Sequence, residues 1–198
     1  TTLVEQILSS HSSIYGAGEL NFLDNAINLI DWQNIKIQEK DIIEIRKNYI
    51  NELKKISKST YTTDKMPLNF RWIGFIAYAF PNAKIIHVKR DAMATCWSNY
   101  KVNFSKGGLA FAFDQIDIAE YYKLYEDLMD FWQKKFSEKI YELNYDKLTE
   151  NQELESRKIF NYLGLEWENS VLEFHNNSRI VQTASNIQVR KKMYKGSS

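Results

Sequence analysis

The sequence contains only one cysteine, two prolines and seven glycines among its 198 residues. The single cysteine, Cys96, cannot form an internal disulfide, which excludes a fold stabilised by disulfides within the chain. Low proline and glycine content argues against a collagenous or a low-complexity disordered chain. No cysteine and histidine cluster has the spacing of zinc ligands, so we expect no metal.

Long apolar runs and a strong net charge are also lacking. No run approaches the about 18 apolar residues of a membrane span, and no charged-then-apolar leader precedes Thr1. We therefore expect a soluble chain without a membrane segment. The net charge is only +1, which gives no reason to expect nucleic acid as a partner. A small ligand held in a local pocket is the better expectation.

What the chain does contain is a globular mixture, with 44% hydrophobic and 26% charged residues. This length and composition predict one domain over residues 1–198. Apolar periodicity predicts helices, and apolar or β-branched runs predict short strands between them. The helices are expected over 2–10, 20–30, 38–56, 68–79, 92–103, 116–136 and 151–162, and Gly164 is expected to end the last of them. A very short strand is expected within 12–19, and further strands over 61–65, 84–88 and 139–143. Alternation of this kind predicts an α/β fold with a central parallel sheet flanked by helices.

Distinctive polar residues follow the predicted strands or begin the first helix. Ligands of open parallel sheets bind beyond the carboxyl ends of the strands, where Glu19, Lys65 and Arg90 are expected. Thr2 followed by Glu5 matches a capping box, so the start of the first helix is a candidate anion site.

Arg90 and Ser98 are a candidate phosphate site. Eight helical residues place Ser98 roughly 12 Å along the axis, within reach of an arginine side chain folding back over the first turns. The alternative is that Arg90 pairs with Asp91, the predicted helix cap, or with another surface carboxylate.

Short segments along the whole chain resemble a known family in their order and residues. They are residues 1–11 (TTLVEQILSSH), 16–20 (GAGEL), 64–70 (DKMPLNF), 80–87 (FPNAKIIH), 90–91 (RD) with 98–100 (SNY), 145–148 (YDKL) and 183–190 (TASNIQVR). Together they resemble sulfotransferases of the tyrosylprotein-sulfotransferase-like group, which in bacteria often follow tetratricopeptide repeats. The resemblance implies a P-loop-type domain that binds 3′-phosphoadenosine-5′-phosphosulfate (PAPS) and releases the product PAP.

The resemblance also assigns residues to the nucleotide. Thr1 and Thr2 would belong to the loop that holds the 5′-phosphosulfate, and Arg90 and Ser98 would hold the 3′-phosphate. Tyr145 is expected on a loop after its strand. It would close over the nucleotide together with the terminal segment, residues 185–192, which should be mobile without ligand. From that segment the nucleotide-binding candidates are Gln188, Arg190 and Lys192.

Catalytic roles are implied in the same way. Glu19 would take the proton from the acceptor hydroxyl, Lys65 would stabilise the transferring sulfuryl group and the bridging oxygen, and Ser185 would assist Lys65. The three histidines are expected to be structural. The acceptor would be a hydroxyl of a peptide tyrosine, a carbohydrate or a small molecule.

Three matters stay open at this stage. The family's Pro-Arg-Ser-Gly would precede Thr1, so we expect the domain to be incomplete at its N-terminus. Without that loop, a P-loop nucleotide kinase or NTPase, or a non-catalytic module that binds PAP, remains an alternative. Localisation would be cytoplasmic for a bacterial protein and the Golgi lumen for a eukaryotic tyrosylprotein enzyme.

Overall fold

The structure is a computed structural model that describes residues 1–102, 109–181, 183 and 187–193. These residues group into two compact units. The first unit comprises residues 1–83 and 167–192, and the second comprises residues 84–166 with residue 193. The single domain expected from length stays a prediction. Within the described ranges, no helix is both long and apolar enough to cross a membrane.

The first unit contains a pair of short parallel strands among helices. In chain order its elements are α1 (Thr2–Leu8), β1 (Ile14–Gly16), α2 (Phe22–Asn28), α3 (Glu39–Ile56), β2 (Tyr61–Thr63), a 3-10 helix (Pro67–Trp72) leading into α4 (Ile73–Ala79), and two further 3-10 helices (Asn169–Asn176 and Gln188–Arg190). Strands β1 and β2 pair in parallel, with Ile14 opposite Tyr61 and Gly16 opposite Thr63. Their carboxyl ends therefore lie side by side.

One hydrophobic cluster of the first unit is built on the apolar face of α2. Leu23, Ala26 and Ile27 recur at helical spacing and are buried. They belong to one cluster with Ile45 of α3 and Trp72. Only one face of α3, which carries Asp41 and Ile45, is buried, as expected for a helix whose other positions are mostly polar.

The second unit also contains a parallel strand pair. Its elements are β3 (Ile85–Lys89), α5 (Ala92–Lys101), a 3-10 helix (Ala110–Phe113), α6 (Gln115–Lys135), β4 (Ile140–Asn144), α7 (Tyr145–Glu150) and α8 (Gln152–Leu163). Strands β3 and β4 pair in parallel from Ile85 opposite Ile140 to Lys89 opposite Asn144. Helix α8 is fixed to the start of this pair because the Tyr162 hydroxyl donates to the Lys139 carbonyl at 2.6 Å.

The prediction of an α/β fold with parallel strands is confirmed. The strands differ from the prediction in their grouping, since the described residues form two pairs, β1 with β2 and β3 with β4, instead of one sheet. Strand β3 is correspondingly less buried than its apolar run predicts, with all five residues partly exposed.

Two predicted helix ends are confirmed. The Asp91 side chain accepts from the Ala94 N–H at 2.8 Å and so caps α5. Helix α8 ends at Gly164, which adopts the left-handed conformation with φ of 71°. A β-carbon at residue 164 would meet no atom within 4 Å, so the backbone conformation alone favours glycine there.

We predict that Gly164→Ala lowers the free energy of unfolding by about 1 kcal/mol, because alanine resists the left-handed conformation. Gly164→Asn is the matched control and should cost less, since asparagine tolerates this conformation better. Urea unfolding of the three proteins measures both values. Equal stability of the alanine variant and the unsubstituted protein would contradict this account of the helix end.

Candidate functional site

Glu19 and Lys65 form an ion pair at the carboxyl ends of β1 and β2. The strand ladder extends past its last pair, since the Ala17 N–H donates to the Thr63 carbonyl at 3.2 Å and the Lys65 N–H donates to the Gly18 carbonyl at 2.8 Å. These bonds bring the two side chains together, and the Lys65 ammonium donates to Glu19 Oε1. The Lys65 side chain is 8% exposed and that of Glu19 is 39% exposed. The carboxylate is therefore accessible from solvent, while the lysine side chain is largely buried.

Thr1 and Thr2 begin α1 in the same unit. Thr1 is the residue before the first helical turn and is exposed, whereas Thr2 is buried. The Thr2 hydroxyl lies 3.2 Å from the hydroxyl of Thr183, two residues before the terminal segment. The start of α1 thus contacts the chain just before that segment.

The capping box expected between Thr2 and Glu5 is wrong. Thr1, not Thr2, occupies the cap position, and the Glu5 carboxylate is engaged elsewhere. Glu5 Oε1 accepts from the Gly18 N–H and the Thr63 hydroxyl, both at 2.8 Å. A local pattern suggested a local partner, but the buried carboxylate finds donors that are distant in sequence.

The terminal segment is partly packed. Gln188, Arg190 and Lys192 are exposed, while Val189 between them is buried within the 3-10 helix. The Arg190 guanidinium donates to the Arg179 carbonyl at 3.1 Å. Ser185, the expected helper of Lys65, lies outside the described residues.

In the second unit, Arg90 and Tyr145 follow the last residue pair of β3 and β4. Because Lys89 stands opposite Asn144, the next residue of each strand reaches the same edge. The Arg90 guanidinium carbon lies 5.5 Å from the centre of the Tyr145 ring, a cation–π contact. Tyr145 is the first residue of α7, so its expected place on a loop is wrong. Strand β4 runs directly into this helix because the Asn144 side chain caps it.

Ser98 lies on α5, which starts two residues after Arg90, and it is half-buried. The Asp91 side chain, the alternative partner considered for Arg90, accepts a hydrogen bond from the N–H of Ala94. The helix that carries Ser98 thus begins on a capped turn directly beside Arg90.

His87 was expected to be structural, and its surroundings favour that interpretation. Its Nε2 is hydrogen-bonded to the Tyr125 hydroxyl, and its Nδ1 lies 3.6 Å from a carboxylate oxygen of Glu142. Burial lowers the pKa of His87 despite this carboxylate, which favours the neutral imidazole.

Sequence analysis missed Asp64, a buried carboxyl group directly before Lys65. The Tyr49 hydroxyl donates to Asp64 Oδ2 at 3.1 Å. Burial raises the pKa of Asp64 to about 6, although its hydrogen bonds act in the opposite direction. Burial also raises the pKa of Tyr49. The adjacent Lys65 was the only signal in the sequence, because nothing in the motif shows that α3 supplies a tyrosine.

Comparisons with known proteins agree with the resemblance found in the sequence. Residues 1–169 match a family described as the sulfotransferase family. A protein of Aquifex aeolicus (strain VF5), described as uncharacterized, is 38% identical over 214 residues, which cover 100% of this chain and 28% of that protein. The chain thus spans well under half of this relative's length.

The solved structure of a sulfotransferase domain from the curacin biosynthetic pathway is similar in fold. It superposes with a TM-score of 0.65 and 14% sequence identity, over 98% of this chain and 79% of that chain. An identity this low supports the fold alone. The family resemblance stated from the sequence is confirmed by the family match.

We predict that Asp64 makes stability depend on pH near 6. A carboxyl group with a pKa of 3.8 unfolded and about 6 folded binds its proton more tightly in the folded state. Its contribution is therefore fully present below pH 3.8 and is lost as pH rises through about 6. Between pH 5 and 8, the unsubstituted protein should lose about 1 kcal/mol of unfolding free energy relative to Asp64→Asn.

Urea unfolding of both proteins at several pH values measures this difference. Asp127→Asn, at an exposed position on α6, is the control and should follow the unsubstituted protein at every pH. Parallel profiles for Asp64→Asn and the unsubstituted protein would refute the raised pKa.

Proposed function

Because this chain belongs to the sulfotransferase family, we propose that it transfers a sulfuryl group from PAPS to an acceptor hydroxyl. The observation that carries the proposal is the Glu19–Lys65 pair at the carboxyl ends of β1 and β2. Such a transfer requires a group that removes the acceptor proton and a cation that balances charge on the oxygens around the transferring group. The pair supplies one of each.

Glu19 is the proposed general base. Its carboxylate is the more exposed partner, so an acceptor hydroxyl can approach it from solvent. Lys65 is the proposed electrostatic stabiliser, because its ammonium is sheltered and a sheltered charge acts more strongly than one in water. Ser185 keeps its proposed role as helper of Lys65.

The family resemblance assigns a separate set of residues to each anionic end of PAPS. PAPS presents a 5′-phosphosulfate, from which the sulfuryl group leaves, and a 3′-phosphate that ATP lacks. In the first unit, the N–H groups at the start of α1 suit the phosphosulfate, next to Thr1 and Thr2. In the second unit, Arg90 and the Ser98 hydroxyl suit the 3′-phosphate.

Further contacts to the nucleotide are proposed for Tyr145, Gln188, Arg190 and Lys192. Tyr145 holds the Arg90 guanidinium by its ring face. The other three lie exposed on the terminal segment, where two cations and an amide can reach a polyanion. The acceptor is proposed to be a hydroxyl of a peptide tyrosine, a carbohydrate or a small molecule, and tetratricopeptide repeats are proposed as a neighbouring domain.

We predict that Arg90→Ala weakens PAP binding about 30-fold, because it removes a charge-assisted contact to the 3′-phosphate. Isothermal calorimetry with PAP measures the loss. Arg157→Ala is the control and should bind normally, since Arg157 pairs with Glu153 on the surface of α8. ATP with Mg²⁺ is titrated in parallel. Equal PAP affinity for Arg90→Ala and the unsubstituted protein would overturn the 3′-phosphate assignment. Tight binding of Mg²⁺-ATP without binding of PAP would favour a kinase.

We predict that Glu19→Gln lowers turnover by a factor of about 100 to 1,000 while PAP binding stays within about twofold, as expected for loss of a general base. Sulfate transfer from labelled PAPS to a tyrosyl peptide, a carbohydrate and a small alcohol measures turnover. Glu168→Gln is the control, since this partly exposed carboxylate bonds to Ser12 in a different part of the first unit. Undiminished turnover in Glu19→Gln would eliminate it as the base.

A further inference from the structure

Glu5 and Arg179 form a buried ion pair that the proposed chemistry does not use. Arg179 Nη2 lies 3.0 Å from Glu5 Oε2, and the two side chains are 14% and 2% exposed. Burying two charges is costly unless hydrogen bonds satisfy their remaining atoms. The other partners of this pair therefore show what it holds in place.

Those partners are the two ends of the glycine corner, residues 16–18, that precedes Glu19. The Gly16 carbonyl accepts from Arg179 Nη1 at 3.2 Å, and the Gly18 N–H donates to Glu5 Oε1 at 2.8 Å. The Gly18 carbonyl in turn accepts from the Lys65 N–H at 2.8 Å. The ion pair is thus bonded directly to the residue before Glu19, and a second hydrogen bond connects that residue to the backbone of Lys65.

Strand β2 is tied to the same carboxylate. The Thr63 hydroxyl donates to Glu5 Oε1 at 2.8 Å, and Thr63 lies two residues before Lys65. One oxygen of Glu5 therefore joins the end of β2 to the corner that follows β1. The strands are only three residues long, so their own ladder supplies few bonds for this purpose.

The corner is also shaped to admit the arginine. A β-carbon at Gly16 would lie 2.8 Å from Ser9 Cβ and 2.9 Å from Arg179 Cδ, closer than real contacts allow. Only glycine lets the backbone approach α1 and the arginine stem this closely. The hydrogen bonds of the ion pair and the close approach at Gly16 are two independent observations that Arg179 packs tightly against the glycine corner.

We propose that Glu5 and Arg179 are positioning residues for the Glu19–Lys65 pair. A corner with two glycines is intrinsically flexible, and reacting groups must be held to within about 0.5 Å of their productive placement. Glu5 and Arg179 restrict the corner from outside the strand ladder. The catalytic part of this inference rests on the proposed function, while the restriction of the corner does not.

A double-mutant cycle separates positioning from general stabilisation. Glu5→Gln keeps the side-chain shape and an acceptor oxygen but removes the charge facing Arg179. It should lower kcat about tenfold in the unsubstituted protein and only about threefold in the Glu19→Gln background, with PAP affinity unchanged. Once the Glu19 carboxylate is gone, Glu5 can act only through the placement of Lys65. Equal losses in both backgrounds would overturn positioning.

Arg179→Lys is the second variant, because lysine keeps the charge and cannot bond Glu5 and the Gly16 carbonyl together as the guanidinium does. It should lower kcat in the same way. Arg157→Lys, in the surface pair with Glu153 on α8, is the matched control and should leave kcat unchanged. Normal turnover in both Glu5→Gln and Arg179→Lys would refute the proposal.

Hydrogen exchange tests the restriction of the glycine corner without an activity assay. The Gly18 and Lys65 amides should exchange at least about fivefold faster in both variants, while the β4 amides of the second unit stay protected and report an intact fold. Unchanged exchange at Gly18 and Lys65 overturns the inference whatever the enzyme does. If exchange is faster in the variants but the unsubstituted protein transfers no sulfuryl group, the restriction of the corner by Glu5 and Arg179 stands and the proposed function is rejected.

Discussion

The Glu5 carboxylate is the group on which the first unit's strand edge depends. A carboxylate this deeply buried is stable only when its oxygens are satisfied, and its donors come from three separate stretches of chain. They are the Gly18 N–H, the Thr63 hydroxyl and the Arg179 guanidinium. Helix α1, both strands and the segment after residue 176 are consequently fixed by one charge, and removing any donor leaves part of that charge uncompensated.

This arrangement explains how such short strands can present two opposed charges. Three-residue strands are near the lower limit of strand length and provide little rigidity themselves. The hydrogen bonds of Glu5 and Arg179 restrict the backbone just before Glu19. The hydrogen bond from the Lys65 N–H to the Gly18 carbonyl restricts the backbone of Lys65 in turn. Asp64 adds a further tie, because Tyr49 of α3 holds its carboxyl group from the other direction.

Sequence reasoning succeeded where the determinant is local and failed where it is distant. The ends of α5 and α8 were predicted because Asp91 and Gly164 act on their own helices. The capping role of Glu5 was wrong because its donors lie far away in sequence. Nothing near Arg179 in an aperiodic polar segment indicates a buried ion pair, and the Asp-Lys-Met-Pro motif does not reveal that Asp64 is buried.

Register explains why the placement of other residues at the strand ends could nevertheless be predicted. In each unit a parallel pair places the residues beyond its last bonds side by side, so a cation after one strand meets its partner after the other. The partners differ in charge. Glu19 brings the pair with Lys65 to neutrality, so an anion arriving there competes with the carboxylate. The Tyr145 ring carries no charge of its own, so this contact does not neutralise the Arg90 guanidinium. The Glu19–Lys65 pair is thus less suited to anchoring an anion than to meeting a charge that appears only during the proposed reaction.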